Sequence, residues 1–143
     1  MSRIEVTDVS KSFKDTQALS HVNLHFEENT IYGLLGRNGA GKSTLLNIIN
    51  NRLFATGGTV NLDGERLTEN TAALSRCFLA NESNLYPEGM KVMQALKWSR
   101  EFYPDFDMDY AQELCKQFGL PVKKKIKDLS TGYQSIFRNT VAL

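Results

Sequence analysis

The chain has 143 residues, with 17 Lys and Arg against 16 Asp and Glu, a formal net charge of +1 and 41% hydrophobic residues. That length suffices for one domain with a core, and the balanced charge lacks the basic excess a nucleic-acid surface normally needs. The two cysteines, Cys77 and Cys115, and two histidines, His21 among them, form neither a disulfide framework nor a metal-ligand spacing.

Both cysteines sit in apolar surroundings and read as buried free thiols. The start, MSRIEVTDVS, is short, polar and alternating, without the apolar centre of a secretory leader. No apolar run reaches the roughly 18 residues of a membrane span. The expectation is a soluble, intracellular protein, with a peripheral role at a membrane left open.

In chain order, IEVTDV alternates and predicts a strand. NLHFEE predicts a second, joined by a short loop from ALSHV. After the turn ENT, the apolar IYGLLG predicts a central strand. GRNGAGKST follows, and STLLNIINNRL predicts a helix with Leu45, Leu46, Ile48 and Ile49 on one side. ATGG breaks that helix, and TVNLDG predicts a short strand ending in an Asp63-Gly64 turn. RCFLA predicts another apolar strand, and NESNLYPEG a polar loop. MKVMQALKWSREF predicts a helix packing Met93, Leu96 and Trp98 inside. YPDFD breaks it. MDYAQELCKQFG predicts a further helix with Leu114 and Phe118 four residues apart, capped by Gly119 and stopped by Pro121. VKKKIKD is a basic connection. Its Lys123, Lys124 and Lys125 read as a solvated face, with contact to a partner or an acidic phosphate as the alternative. QSIFRNTVAL predicts a last helix. Strands dominate the first half and helices the second, as in an α/β core followed by a helical subdomain.

Gly36, Gly41, Lys42 and Ser43 complete the spacing G-x-x-x-x-G-K-S/T, between an apolar strand and a helix. Glycines let backbone N–H groups face inward around phosphates. The helix that follows adds its unpaired N–H groups and positive end. Lys42 is expected to reach the β and γ phosphates, and Ser43 to offer a hydroxyl to Mg²⁺. A bare structural turn is the competing reading, and the Lys-Ser after the last glycine disfavours it. No base-reading N-K-x-D motif of a GTPase is present.

On these residues the chain resembles the ATP-binding domain of ATP-binding cassette (ABC) proteins. GLLGRNGAGKSTLLNII is similar to that family's phosphate loop along its whole length, so the resemblance implies nucleotide contacts at Gly36, Asn38, Gly39, Gly41, Lys42, Ser43 and Thr44. Phe13, in SKSFKDTQALSHVNL, falls where the family places an aromatic that stacks on adenine. A core Phe at a strand end is the plainer reading. In LANESNLYPEG, Leu85, Tyr86 and Pro87 match the loop joining core and helical subdomain. Asn81 stands where the family has Gln, implying a catalytic, Mg²⁺-sensing role; Glu82 is its neighbour, and a loop-capping Asn is the alternative. DLSTGYQS resembles the signature L-S-G-G-Q: Leu129, Ser130 and Gly132 match, while Thr131 and Tyr133 depart from it. Taken alone, Ser130 is a helix N-cap. In the family this element reaches across a dimer to the partner's γ-phosphate.

The resemblance implies a P-loop NTPase core of ABC type, incomplete, with residues 1–86 as nucleotide-binding α/β core and antiparallel β-subdomain. Residues 87–143 would be a helical subdomain ending in the signature helix. It implies ATP and Mg²⁺ as cofactors, a second nucleotide-binding domain and transmembrane permease subunits as partners, and a place in the cytoplasm, peripheral on the inner face of the cell membrane. Tyr86, Met90 and Met93 are candidate contacts to membrane partners, with a core position as the alternative for Met93. The variant signature suggests a divergent bacterial exporter. A non-transport ABC ATPase, ribosome-associated or of DNA-repair type, is the alternative function. The family's later Asp, Glu and switch His cannot be assigned here; Asp105, Asp107 and Asp109 lack the preceding apolar strand. The expectation is an inactive or weakly active fragment that self-associates or swaps at an unpaired sheet edge.

Overall fold

The computed structural model describes residues 3–80, 86–103 and 105–142. The chain divides into two compact units, Met1–Leu79 and Ala80–Leu143.

The first unit is built on an antiparallel sheet of order β2-β1-β3-β4. Strand β1 spans Arg3–Phe13, β2 Thr16–Glu27, β3 Gly57–Leu62 and β4 Glu65–Arg66. The second strand is longer than NLHFEE and absorbs ALSHV, so the connection is the tight turn at Lys14 and Asp15. Its period-2 pattern is interrupted, which is why the sequence understates it. Asp8 (φ 55°) and His21 (φ 49°) are left-handed residues facing each other where the β1–β2 register shifts. The kink at Asp8 lets Val6 and Val9, three residues apart, both point into the core at 2% and 0% exposure. Side chains satisfy the N–H groups it displaces: Asp8 N–H donates to Asn23 Oδ1 at 2.9 Å and His21 N–H to Ser10 Oγ at 2.9 Å. The Asp63-Gly64 turn joins β3 to β4 with both residues at positive φ, as a two-residue hairpin requires.

Helix α1 (Lys42–Ile49) lays Leu45, Ile48 and Ile49 onto the core formed by Val6, Val9, Leu19, Val60 and Leu62. Leu46 is on its outer side, 40% exposed. A one-turn helix α2 (Thr71–Leu74) follows, capped by Asn70, whose side chain accepts from Ala73 N–H.

Two expected strands do not form. IYGLLG and RCFLA have no ladder partner among the described residues. A strand is stable only when a neighbour takes its N–H and C=O groups, and β propensity alone does not supply one. Ile31 and Leu35 are 101% and 93% exposed. Tyr32 is tethered, edge-on to Phe26 and accepting from Glu27 N–H at 3.0 Å. Cys77 is accordingly half-buried, not enclosed as expected, whereas Cys115 is buried.

The second unit packs α3 (Val92–Phe102), α4 (Met108–Gln117) and α5 (Thr131–Ala142) around Val92, Ala95, Leu96, Leu114, Ile126 and Phe137. Leu96 is inside as predicted, but Trp98 points out and meets Phe102 edge-on at 6.1 Å. Phe118 is likewise 52% exposed, because α4 ends there. Gly119, at φ 63°, turns the chain: Leu120 N–H donates to Cys115 O at 2.8 Å and Gly119 N–H to Lys116 O at 3.2 Å. This is a Schellman C-cap, as the glycine's position predicted.

Candidate functional site

The glycine-rich loop lies in the first unit, between the unpaired segment 31–35 and the start of α1. Gly39 and Gly41 have φ of 83° and 87°, a region that side-chain-bearing residues rarely occupy. Gly41 also lies hard against the neighbouring strand. A Cβ there would sit 2.6 Å from Ala18 O and 2.8 Å from Leu19 Cδ2. That glycine therefore lets the loop pass over β2 and enter the helix. The first intrahelical bond runs from Leu45 N–H to Gly41 O at 2.9 Å, and no side chain caps α1. The leading N–H groups, on Lys42, Ser43 and Thr44, point out of the helix end with its positive partial charge.

Lys42 folds back across the loop. Its Nζ donates to Gly36 O at 2.6 Å and to Arg37 O at 2.8 Å. The ammonium is thus held over the same cradle the helix end faces. Ser43 is exposed at the second position of α1, with its carbonyl accepting from Asn47 Nδ2 at 2.8 Å. Asn38 lies in the turn closed by Ala40 N–H to Arg37 O at 3.1 Å. Uncapped helix N–H groups, left-handed glycines and one ammonium gather donors at this loop, which suits a polyphosphate.

Phe13 ends β1, 46% exposed, opposite Thr16 in the register. Lys11 Nζ lies 5.1 Å from its ring centroid. Thr16 is two residues from Ala18, the residue that Gly41 abuts. At about 3.4 Å per strand residue, the hairpin end carrying Phe13 falls beside the loop. The exposed ring is therefore not a core Phe.

In the second unit, Leu129 is buried at 6% exposure and anchors the chain just before α5. Ser130, Thr131, Gly132 and Tyr133 are all exposed on the helix's first turn. Ser130 caps it: its carbonyl accepts from Gln134 N–H at 2.8 Å and its Oγ from Tyr133 N–H at 3.4 Å. Nothing lies within 4 Å of where a Gly132 Cβ would be. Asn81, with Glu82 and Leu85, lies outside the described residues. Asp107 caps α4, accepting from Tyr110 N–H at 2.9 Å.

Tyr86 faces inward. Its hydroxyl is 2.7 Å from Ser99 Oγ, and its ring meets Phe137 at 5.8 Å. Met90 and Met93 are half-buried, and Met93 lines an open cleft with Lys97, Arg100, Phe106 and Gln112. Sequence reasoning missed the Ala18 backbone as the support of the phosphate loop, which no local pattern signals. It also missed the Tyr86–Ser99 pair, for which the Ser at an otherwise apolar helical position was the available hint.

The ABC transporter family pattern matches residues 19–142. The ABC transporter ATP-binding protein YtrB of Bacillus subtilis (strain 168) is 36% identical over 129 residues, covering 90% of this chain and 44% of that protein. The ribose import ATP-binding protein RbsA of Streptococcus agalactiae serotype Ia is 33% identical over 147 residues, covering 94% of this chain and 30% of its own length. Among solved structures, a bacterial ABC transporter cassette determined as a dimer superposes with a TM-score of 0.81 at 24% identity, over 98% of this chain and 68% of that one. The chain thus belongs to the ABC transporter family, with the P-loop ABC ATPase fold, incomplete relative to its longer relatives. It spans less than half the length of the curated relatives it matches. The exporter-like placement is overturned: the RbsA relatives are named for import. Two substitutions in a five-residue signature outweighed nothing once the whole chain was compared.

Proposed function

We propose that the chain is the nucleotide-binding part of a subunit that binds and hydrolyses ATP to power transport across a membrane. The observation that carries it is the Lys42 ammonium held over the loop at Gly36 and Arg37, beside the uncapped end of α1. The backbone N–H groups of 39–44 and Lys42 bind the phosphates, and Phe13 stacks on the adenine. Ser43 would offer its hydroxyl to Mg²⁺, which when bound would neutralise phosphate charge. Thr44 adds a further contact beside it. Lys42 offsets the negative charge that grows on the phosphates during transfer. Ser130 and Gly132 present an exposed helix N-terminus to the nucleotide of a second such domain.

The partners in this reading are that second domain and transmembrane permease subunits; the place is the cytoplasmic face of the membrane. Among the described residues no helix is long and apolar enough to cross a membrane. Import is the direction the names of the RbsA relatives support. Purification of the protein from its host, tagged at native expression, should recover a pair of polytopic membrane subunits in proportion. Recovery free of any such subunits from detergent-solubilised membranes would contradict the transport reading.

A further inference from the structure

The segment before the signature helix carries four exposed lysines, Lys123, Lys124, Lys125 and Lys127. Its backbone is clamped to the segment leading into α3. Val92 N–H donates to Lys124 O at 3.1 Å, Ile126 N–H to Met90 O at 2.9 Å, and Lys127 N–H to Glu88 O at 3.1 Å. An antiparallel bridge pairs Lys125 with Lys91, which adds a fifth exposed ammonium. Ile126, 1% exposed, pins the loop to the core from within the run.

Like charges directly opposite in an antiparallel pair are destabilising. Here Lys91 faces Lys125, and among the described residues none of the five lysines forms a salt bridge. In the sequence, Glu88 and Asp128 flank the group with negative charge. The fold therefore holds a positive platform rigid against its own repulsion. All five are lysines, point charges without the planar fork that reads a single phosphate or carboxylate bidentately. No aromatic occurs in PVKKKIKD on which a nucleic-acid base would stack. Half-buried Met90 and Val122 border the patch. Diffuse positive charge on a fixed loop fits a surface carrying many anionic groups.

We propose that Lys91, Lys123, Lys124, Lys125 and Lys127 form a platform that binds an anionic bilayer surface. The choice of a membrane as partner rests on the transport reading above. The test is co-sedimentation of the chain with vesicles of mixed phosphatidylglycerol and phosphatidylcholine, against phosphatidylcholine alone. Binding should require the anionic lipid and weaken with added salt. Lys124→Gln/Lys125→Gln should weaken it about 30-fold, roughly five-fold per lysine, and Lys123→Gln/Lys127→Gln similarly, with circular dichroism showing the helices intact. Lys14→Gln/Lys97→Gln, exposed lysines elsewhere, should leave it unchanged. Lys42→Ala should also leave it unchanged, so loss of nucleotide binding and loss of lipid binding are separate results. Equal binding to both vesicle types, or undiminished binding by both platform variants, would overturn the proposal. So would a platform dependence seen with single-stranded RNA or an acidic peptide but not with vesicles.

Discussion

The Tyr86 hydroxyl lies 2.7 Å from the hydroxyl of Ser99, a residue of α3 with no exposed surface, while the Tyr86 ring packs on Phe137 of α5. One side chain, following residues 81–85 in the sequence, is thus tied to two helices, α3 and α5. Ser99 passes the bond on to Ala95 O at 3.0 Å. Tyr86→Phe should cost about 1 kcal/mol, the worth of one hydrogen bond, and keep the ring contact.

The same residue carries a pH signature. Burial pushes the Tyr86 phenol above its ordinary value, with the Ser99 bond opposing in part. A raised folded pKa favours the neutral phenol in the folded state. Its contribution is whole below the unfolded tyrosine pKa, about 10, and is lost as pH rises through the folded value. Denaturant unfolding of the native chain should therefore weaken at alkaline pH more steeply than that of Tyr86→Phe. Parallel pH profiles would contradict this.

Two glycines should be irreplaceable for different reasons. At Gly58, φ 82°, a Cβ would lie 2.4 Å from Asp8 O, against the kink of β1. At Gly41 it would strike the β2 backbone and alter the phosphate loop. Each change to Ala should cost at least about 2 kcal/mol. Only the Gly41 change should also abolish nucleotide binding under conditions where the chain remains folded, as followed by calorimetry.

The thiols should separate by burial. Burial raises the pKa of both Cys77 and Cys115, but Cys115 is 3% exposed and Cys77 half-buried. Iodoacetamide followed by mass spectrometry should label Cys77 first, with Cys115 reacting only as the second unit opens. The reverse order would be wrong for this packing.

An apolar segment with unpaired backbone invites pairing with another chain. Ile31 and Leu35, nearly fully exposed beside the phosphate loop, should make this chain associate at micromolar concentration. Ile31→Lys/Leu35→Lys should return it towards monomer in analytical ultracentrifugation. A monodisperse monomer of the unaltered chain would contradict the expectation.

The phosphate loop was legible because its chemistry is local: glycines, lysine and helix start lie within eight consecutive residues. The Asp63-Gly64 hairpin and the Gly119 cap were legible for the same reason, since each is a backbone requirement stated by one residue type. IYGLLG and RCFLA were misread as strands because strand formation depends on a lateral neighbour, which no local pattern records. Trp98 was misplaced because hydrophobicity shows what can be buried, while helix phase decides what is. The kink pairing Asp8 with His21 broke the alternation that would have shown the full length of β2. The exporter-like placement rested on two signature residues, too small a sample to place a chain among its relatives.

The central claim is that the loop at Gly36–Ser43 binds a nucleoside triphosphate, and isothermal calorimetry with Mg-ATP tests it most directly. The native chain should show saturable binding that Lys42→Ala loses while keeping its helical circular dichroism. Binding of equal strength by both would contradict the claim.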